Sequence, residues 1–200
     1  MSGPAELPAG RFSSWLVRIQ DPGGADVPCG TCTACCTSAQ FVHIGPDENE
    51  TLARIPPELL FPAPGRPRGH VVLGYDERGH CPMLRDGGCS IYVHRPRTCR
   101  TYDCRVFPAS GVDLDDEPAK AGVAERAGRW RFDHPTARDT DEHAAVRAAA
   151  AFLRAHAGDV LPAGAVPRAP TQLAYLAVRV HRLFLGGATP AVERVERELP

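Results

Sequence analysis

Eight cysteines stand in two groups, Cys29, Cys32, Cys35 and Cys36, then Cys81, Cys89, Cys99 and Cys104. Thiols gathered like this either bridge one another as disulfides or hold a metal ion jointly. Cys-x2-Cys spacing bends the backbone enough for two sulfurs to grip one ion, with zinc–sulfur bonds of about 2.3 Å. The spacing occurs twice in succession, giving Cys-x2-Cys-x2-Cys-Cys. The vicinal pair speaks against a disulfide framework, because a bridge between Cys35 and Cys36 would fall far from ordinary Cα separations. In an extended backbone neighbouring side chains also point to opposite sides. Cys36 is therefore the doubtful ligand: it serves a second or bridging site, or it stands aside.

All eight cysteines are candidate metal ligands. They allow two four-cysteine sites, one such site with four spare thiols, or a polynuclear site with bridging sulfurs. Gly30, Thr31, Thr33 and Ala34 between the first cysteines let the chain curl around an ion without crowding, and Gly30 permits a positive φ. Four thiolates on a divalent cation leave two negative charges, which call for cations and donors around the sulfurs. Arg95, Arg97, Arg100 and Arg105 surround Cys99 and Cys104. Arg95 and Arg100 are the candidates for that neutralising role, whereas Arg97 and Arg105 suit a solvated face equally well. His80 and His94 adjoin the second group and imidazole binds zinc and iron, although a surface position is the commoner fate of such residues. His43 reads as a core residue, and His134, His143, His156 and His181 receive no role. Tyr92 and Tyr102 flank the second group and could donate to sulfur or simply pack.

Charge narrows the partners. With 23 basic and 24 acidic residues the formal net charge is −1, which gives no footprint for nucleic acid. Residues 1–19 lack the apolar core of a signal peptide, and no stretch reaches the ~20 apolar residues of a membrane helix. A cytoplasmic protein without membrane or nucleic-acid partners is expected. In that compartment thiols stay reduced, which favours metal ligation or redox chemistry over structural bridges. Zinc or iron, including an iron–sulfur cluster, are the cofactors in view, since both metals accept thiolate. The metal ion is the expected partner, with a protein partner conceivable through the C-terminal helices.

The elements that must position these residues follow from pattern. Residues 1–28 read as a loosely ordered lead-in, and 29–110 as the cysteine-bearing domain. Within it Phe41–Ile44 reads as a strand, Gly45–Glu48 as a helix start with acidic residues at the positive end, and the proline-rich 60–69 as loop. Val71–Leu73 and Cys81–Leu84 bracket Asp76–Gly79 as a hairpin; Asp86-Gly87-Gly88 is a further turn delivering Cys89. Residues 111–138 connect, with Arg129–Phe132 as a last strand and 113–117 as an acidic loop. Residues 139–200 are helical: Thr140–Ala157 with Gly158 as stop, Thr171–Leu185, and a short helix after Pro190. The fold class is α+β, a small cysteine-rich metal-stabilised core with a helical C-terminal region.

The combination Cys-x2-Cys-x2-Cys-Cys, then Cys81-Pro82-Met83-Leu84, Gly88-Cys89-Ser90-Ile91-Tyr92 and Arg95-Pro96-x-x-Cys99-Arg100 resembles the YkgJ-type CxxCxxCC family. The resemblance covers roughly Cys29 to Phe107. It implies zinc or iron chelation, or an iron–sulfur centre, and relatives labelled flagellin lysine N-methylases keep a protein-modifying enzyme open as an alternative. A thiol- or cluster-dependent oxidoreductase is the other. No Gly-rich nucleotide loop follows a strand, and Cys-x-x-Cys lacks a βαβ setting, so chelation without an assignable reaction is the reading the residues carry.

Overall fold

The computed structural model describes residues 5–21, 27, 29–114, 117–160, 166–167 and 169–199 of the chain. Strand β1 (Leu7–Arg11) runs into helix α1 (Phe12–Ile19). There follow β2 (Val42–Ile44), α2 (Asn49–Leu52), β3 (Leu60–Pro62), β4 (Val71–Leu73), β5 (Leu84–Arg85) and β6 (Gly88–Cys89). Then come α3 (Arg97–Thr101), α4 (Val106–Ser110), α5 (Ala121–Gly128), β7 (Trp130–Asp133), α6 (Ala137–Val160), α7 (Pro170–Val180) and α8 (Val192–Glu196). Helices beside small separate sheets make the fold α+β, with the cysteines in one region and helices at the C-terminus. The backbone separates into two compact units: Met1–Gly23 with Cys104–Leu114 and Arg126–Pro200, and Gly24–Asp103 with Asp115–Glu125.

The helix-rich unit is organised around α6, which packs against α1, α4, α7 and α8. Phe12, Trp15 and Leu16 fall at i, i+3 and i+4 of α1, one face of a helix, and all three are buried. The Phe12 ring lies 5.4 Å from Trp15 and 5.0 Å from Phe132 between centroids. Strand β1 pairs in parallel with β7. Residues 7–19 thus correct the expectation of a loose lead-in over 1–28: one apolar helical face and a strand partner 123 residues downstream, Trp130 opposite Leu7, outweigh the flanking prolines and glycines. Residues 1–4, 22–26 and 28 of that lead-in lie outside the described residues, as do 115–116 of the acidic loop. Asp139 ties the N-terminal segment down, accepting from Arg11 Nε at 2.9 Å, the Ser13 amide at 3.0 Å and the Thr136 amide at 3.0 Å. Burial alone would raise its pKa, but these donors prevail and hold it below the usual carboxylate range. Helix α6 continues through Gly158 to Val160, past the expected stop.

The cysteine unit holds an antiparallel sheet in the order β2-β4-β3. Ile44, Ile55, Leu73 and Met83 form its apolar core, and Cys81, Cys89 and Ile91 pack against them. Two expectations need correction. Leu60–Pro62 is a strand despite its proline, because β3 lies at the sheet edge, where a missing N–H costs no ladder bond. Val71–Leu73 and Cys81–Leu84 do not pair with each other: β4 is the central strand, and both its edges are taken by β2 and β3. The intervening turn does form, closed by the Asp76 carboxylate accepting the Arg78 and His80 amides at 2.9 and 2.8 Å. The hairpin lies one turn later, β5 against β6, with Asp86 at φ 49° and Gly87 at φ 77°. Two successive positive φ values are what a two-residue type I′ turn demands, and Asp-Gly supplies them.

Candidate metal centre

Seven of the eight cysteines line a single cavity of about 120 Å³ in the cysteine unit: Cys29, Cys32, Cys35, Cys36, Cys81, Cys89 and Cys99. They arrive on four pieces of backbone. Cys29 and Cys32 sit in a tight loop closed by the Cys32 amide on the Cys29 carbonyl at 3.0 Å, with Gly30 at φ 57°. Its amide donates to the Tyr92 hydroxyl at 3.2 Å. Cys35 and Cys36 belong to a 3-10 turn over Ala34–Thr37. At three residues per turn, neighbours project about 120° apart rather than to opposite sides, so both members of the vicinal pair reach the cavity.

The two sequence groups are joined by backbone. The Cys81 amide donates to the Cys36 carbonyl at 2.7 Å. The Met83 and Leu84 amides are directed at the Cys81 sulfur, lowering its pKa while burial, the larger influence, and the neighbouring Cys89 raise it. Amides aimed at a sulfur stabilise its thiolate form. Cys89 is delivered by the Asp86-Gly87 hairpin, and Cys99 by α3.

Helix α3 is held from several directions. Glu48, 9% exposed, accepts the Arg97 amide on one carboxylate oxygen at 2.5 Å and the Gly45 amide on the other at 2.9 Å. Thr98 Oγ1 donates to the His43 carbonyl at 2.7 Å, Arg97 pairs with Asp47, and Thr51 Oγ1 donates to the His94 carbonyl at 2.8 Å. The sequence marks Glu48 as an acidic residue at a helix start; its carboxylate caps α3 rather than its own helix. No short-range pattern could have found that pairing across 49 positions.

Electrostatics set six of the sulfurs within mutual influence. Burial, then Cys81, Cys89, Cys29 and Cys32, push the Cys36 thiol up to about 12. Burial, then Cys81, Cys36, Cys89 and Cys29, push Cys99 up to about 12. Such buried, clustered thiols resist ionisation at neutral pH. Among the described residues, no group of three His, Cys, Asp or Glu side chains is preassembled at metal-ligand spacing. The donor set fits zinc or iron in kind, and ligation there entails the thiols closing on the ion.

Other expected residues divide. Arg95 lines the cavity, buried at 7% exposure. Its guanidinium lies 4.1 Å over the Tyr92 ring and donates to the Tyr92 and Val27 carbonyls at 2.9 and 3.2 Å. Arg100 lines a separate open cleft with Asp47, Glu48 and Glu50, while its carbonyl accepts the Val27 amide at 2.7 Å. Tyr92 and Tyr102 both line the thiol cavity. His94 Nδ1 pairs with Glu50 at 3.0 Å, and neither it nor His80 lines the cavity. His43 is half-buried and shares a 3.0 Å hydrogen bond with His70. Cys104 belongs to the helix-rich unit, where the Trp130 indole N–H donates to its sulfur at 3.3 Å.

The cavity is thus lined by thiols, with a buried guanidinium in its wall. Residues 28–121 match the model of the CxxCxxCC family, whose description reads "Putative zinc- or iron-chelating domain". No match to a curated protein or to a solved structure was found. Among the described residues no helix is long and apolar enough to cross a membrane.

Proposed function

We propose that this chain chelates zinc or iron through the cysteines of its thiol-lined cavity, acting as a cytoplasmic metal-handling protein rather than through a reaction of its own. The observation that carries the reading is the convergence of seven cysteines, from segments 70 residues apart, on one cavity. Arg95, buried in the wall, would offset the charge of ionised sulfurs.

A centre holding more than one metal ion, an iron–sulfur cluster included, is the second reading. Seven thiols line the cavity, more than the four that one tetrahedral ion takes. Protein purified under anaerobic conditions is expected to carry zinc or iron by elemental analysis. Visible charge-transfer absorption with iron and acid-labile sulfide would select the cluster, and colourless protein with zinc would select thiolate chelation. Protein devoid of both metals, with its thiols freely alkylated, would overturn the proposal.

A further inference from the structure

The vicinal pair is unequal in a way that points to how a metal ion reaches the site. Cys35 is the exposed member of the eight cysteines, whereas the other seven are half-buried. It nevertheless lines the same cavity as Cys36. Cys36 is fixed on both sides, its amide donating to the Thr33 carbonyl at 2.8 Å and its carbonyl accepting from Cys81 at 2.7 Å. Cys35 follows the small residues Thr33 and Ala34, and its carbonyl accepts from Ser38 Oγ at 2.8 Å. Phe41, 63% exposed, lines the cavity too, so the cavity wall includes a second solvent-exposed residue. An exposed and a half-buried cysteine thus sit on adjacent residues of a single turn.

We infer that Cys35 is the entry thiol, which takes a soft metal ion from a thiolate-bound carrier and passes it to Cys36 and the inner cysteines. The inference rests on the metal-binding reading above. Each transfer is a ligand exchange without change of oxidation state. The Cys35 sulfur–metal bond forms as the carrier's sulfur–metal bond breaks, and the Cys35 proton leaves with the departing carrier thiol. The second exchange repeats this between Cys35 and Cys36, returning a proton to Cys35. Thiolate exchange on zinc-like ions proceeds through such attack by an accessible sulfur, and accessibility is what separates Cys35 from its neighbours.

The test is loading of metal-free protein with cobalt(II) supplied as its glutathione complex, anaerobically, followed by stopped-flow absorbance of the tetrahedral thiolate bands. Cys35→Ser is expected to load at least tenfold more slowly than wild type while reaching the same cobalt content per chain. Cys36→Ser is expected to end at a lower content. An unchanged rate in Cys35→Ser overturns the entry role, and a final content as low as that of Cys36→Ser makes Cys35 a resident ligand instead. Wild-type protein that takes up no cobalt overturns the metal-binding reading itself, and the inference with it.

Discussion

Cys36 and Cys99 resist ionisation as free thiols because burial and neighbouring sulfurs hold both near 12. Metal uptake at neutral pH must therefore displace protons. Titration with zinc at pH 7 in weak buffer is expected to release protons in step with the thiols ligated, and Cys99→Ser to release fewer; binding without proton release would exclude thiolate ligation. In metal-free protein the raised values contribute stability that is present below the ordinary thiol pKa of 9.0 and lost as pH climbs toward 12. His143 has the opposite sense. Burial lowers it from 6.5 to about 4; its ring stacks on Phe12 at 4.3 Å. With Nε2 donating to the Pro108 carbonyl at 3.3 Å, Nδ1 accepts from His134 at 2.7 Å. A histidine held neutral contributes stability that is present above 6.5 and lost as pH falls toward 4. Urea midpoints measured from pH 7 to 4 should decline in wild type and flatten in His143→Phe. Equal pH slopes in the two proteins would remove His143 from the account. None of this was legible at residue level, since the histidine's partners lie 9 and 35 positions away.

At the scale of elements, α3 is a five-residue helix, too short to stand alone, yet it carries Cys99. Its position depends on Glu48 and on the Thr98 and Arg97 contacts to the strand-and-turn segment before it. Glu48→Ala is expected to cost about 1–2 kcal/mol, as loss of a helix cap does, and to speed metal loss to a chelator. Unchanged urea midpoint and chelator kinetics would show that α3 is held by other means. The Asp86-Gly87 turn was readable directly, because two positive φ values leave few residue choices. The pairing of 71–73 was not: three-residue strands carry too little alternation to reveal which neighbour they choose, and here the central strand is claimed on both edges. The N-terminal helix was hidden by its flanks. Trp15→Ala is expected to cost about 3–5 kcal/mol, measured by urea unfolding, because Trp15 is fully buried.

At the scale of the molecule, the sequence announced the chemistry more clearly than the architecture. Cysteine spacing alone indicated that the two groups belong together, and seven of the eight thiols do line one cavity. It could not indicate that Cys35 rather than Cys36 would face solvent, because that follows from a 3-10 turn and not from the extended backbone that vicinal spacing evokes. Nor could it place Cys104 beside Trp130 in the helix-rich unit. Because the thiols are gathered without being preassembled at ligand spacing, metal binding should order the cysteine unit. Hydrogen exchange of segments 29–37 and 81–99 is expected to slow on metal loading. Identical exchange in the two forms would mean that the site needs no closure.

The central claim is that the cavity cysteines jointly hold a metal centre, and native mass spectrometry of anaerobically purified wild type, Cys36→Ser and Cys99→Ser tests it most directly. The account predicts zinc or iron retained on intact wild-type chain, with metal content reduced in both variants. Wild type flying as bare polypeptide with eight protonated thiols, or both variants retaining the wild-type metal content, would contradict it.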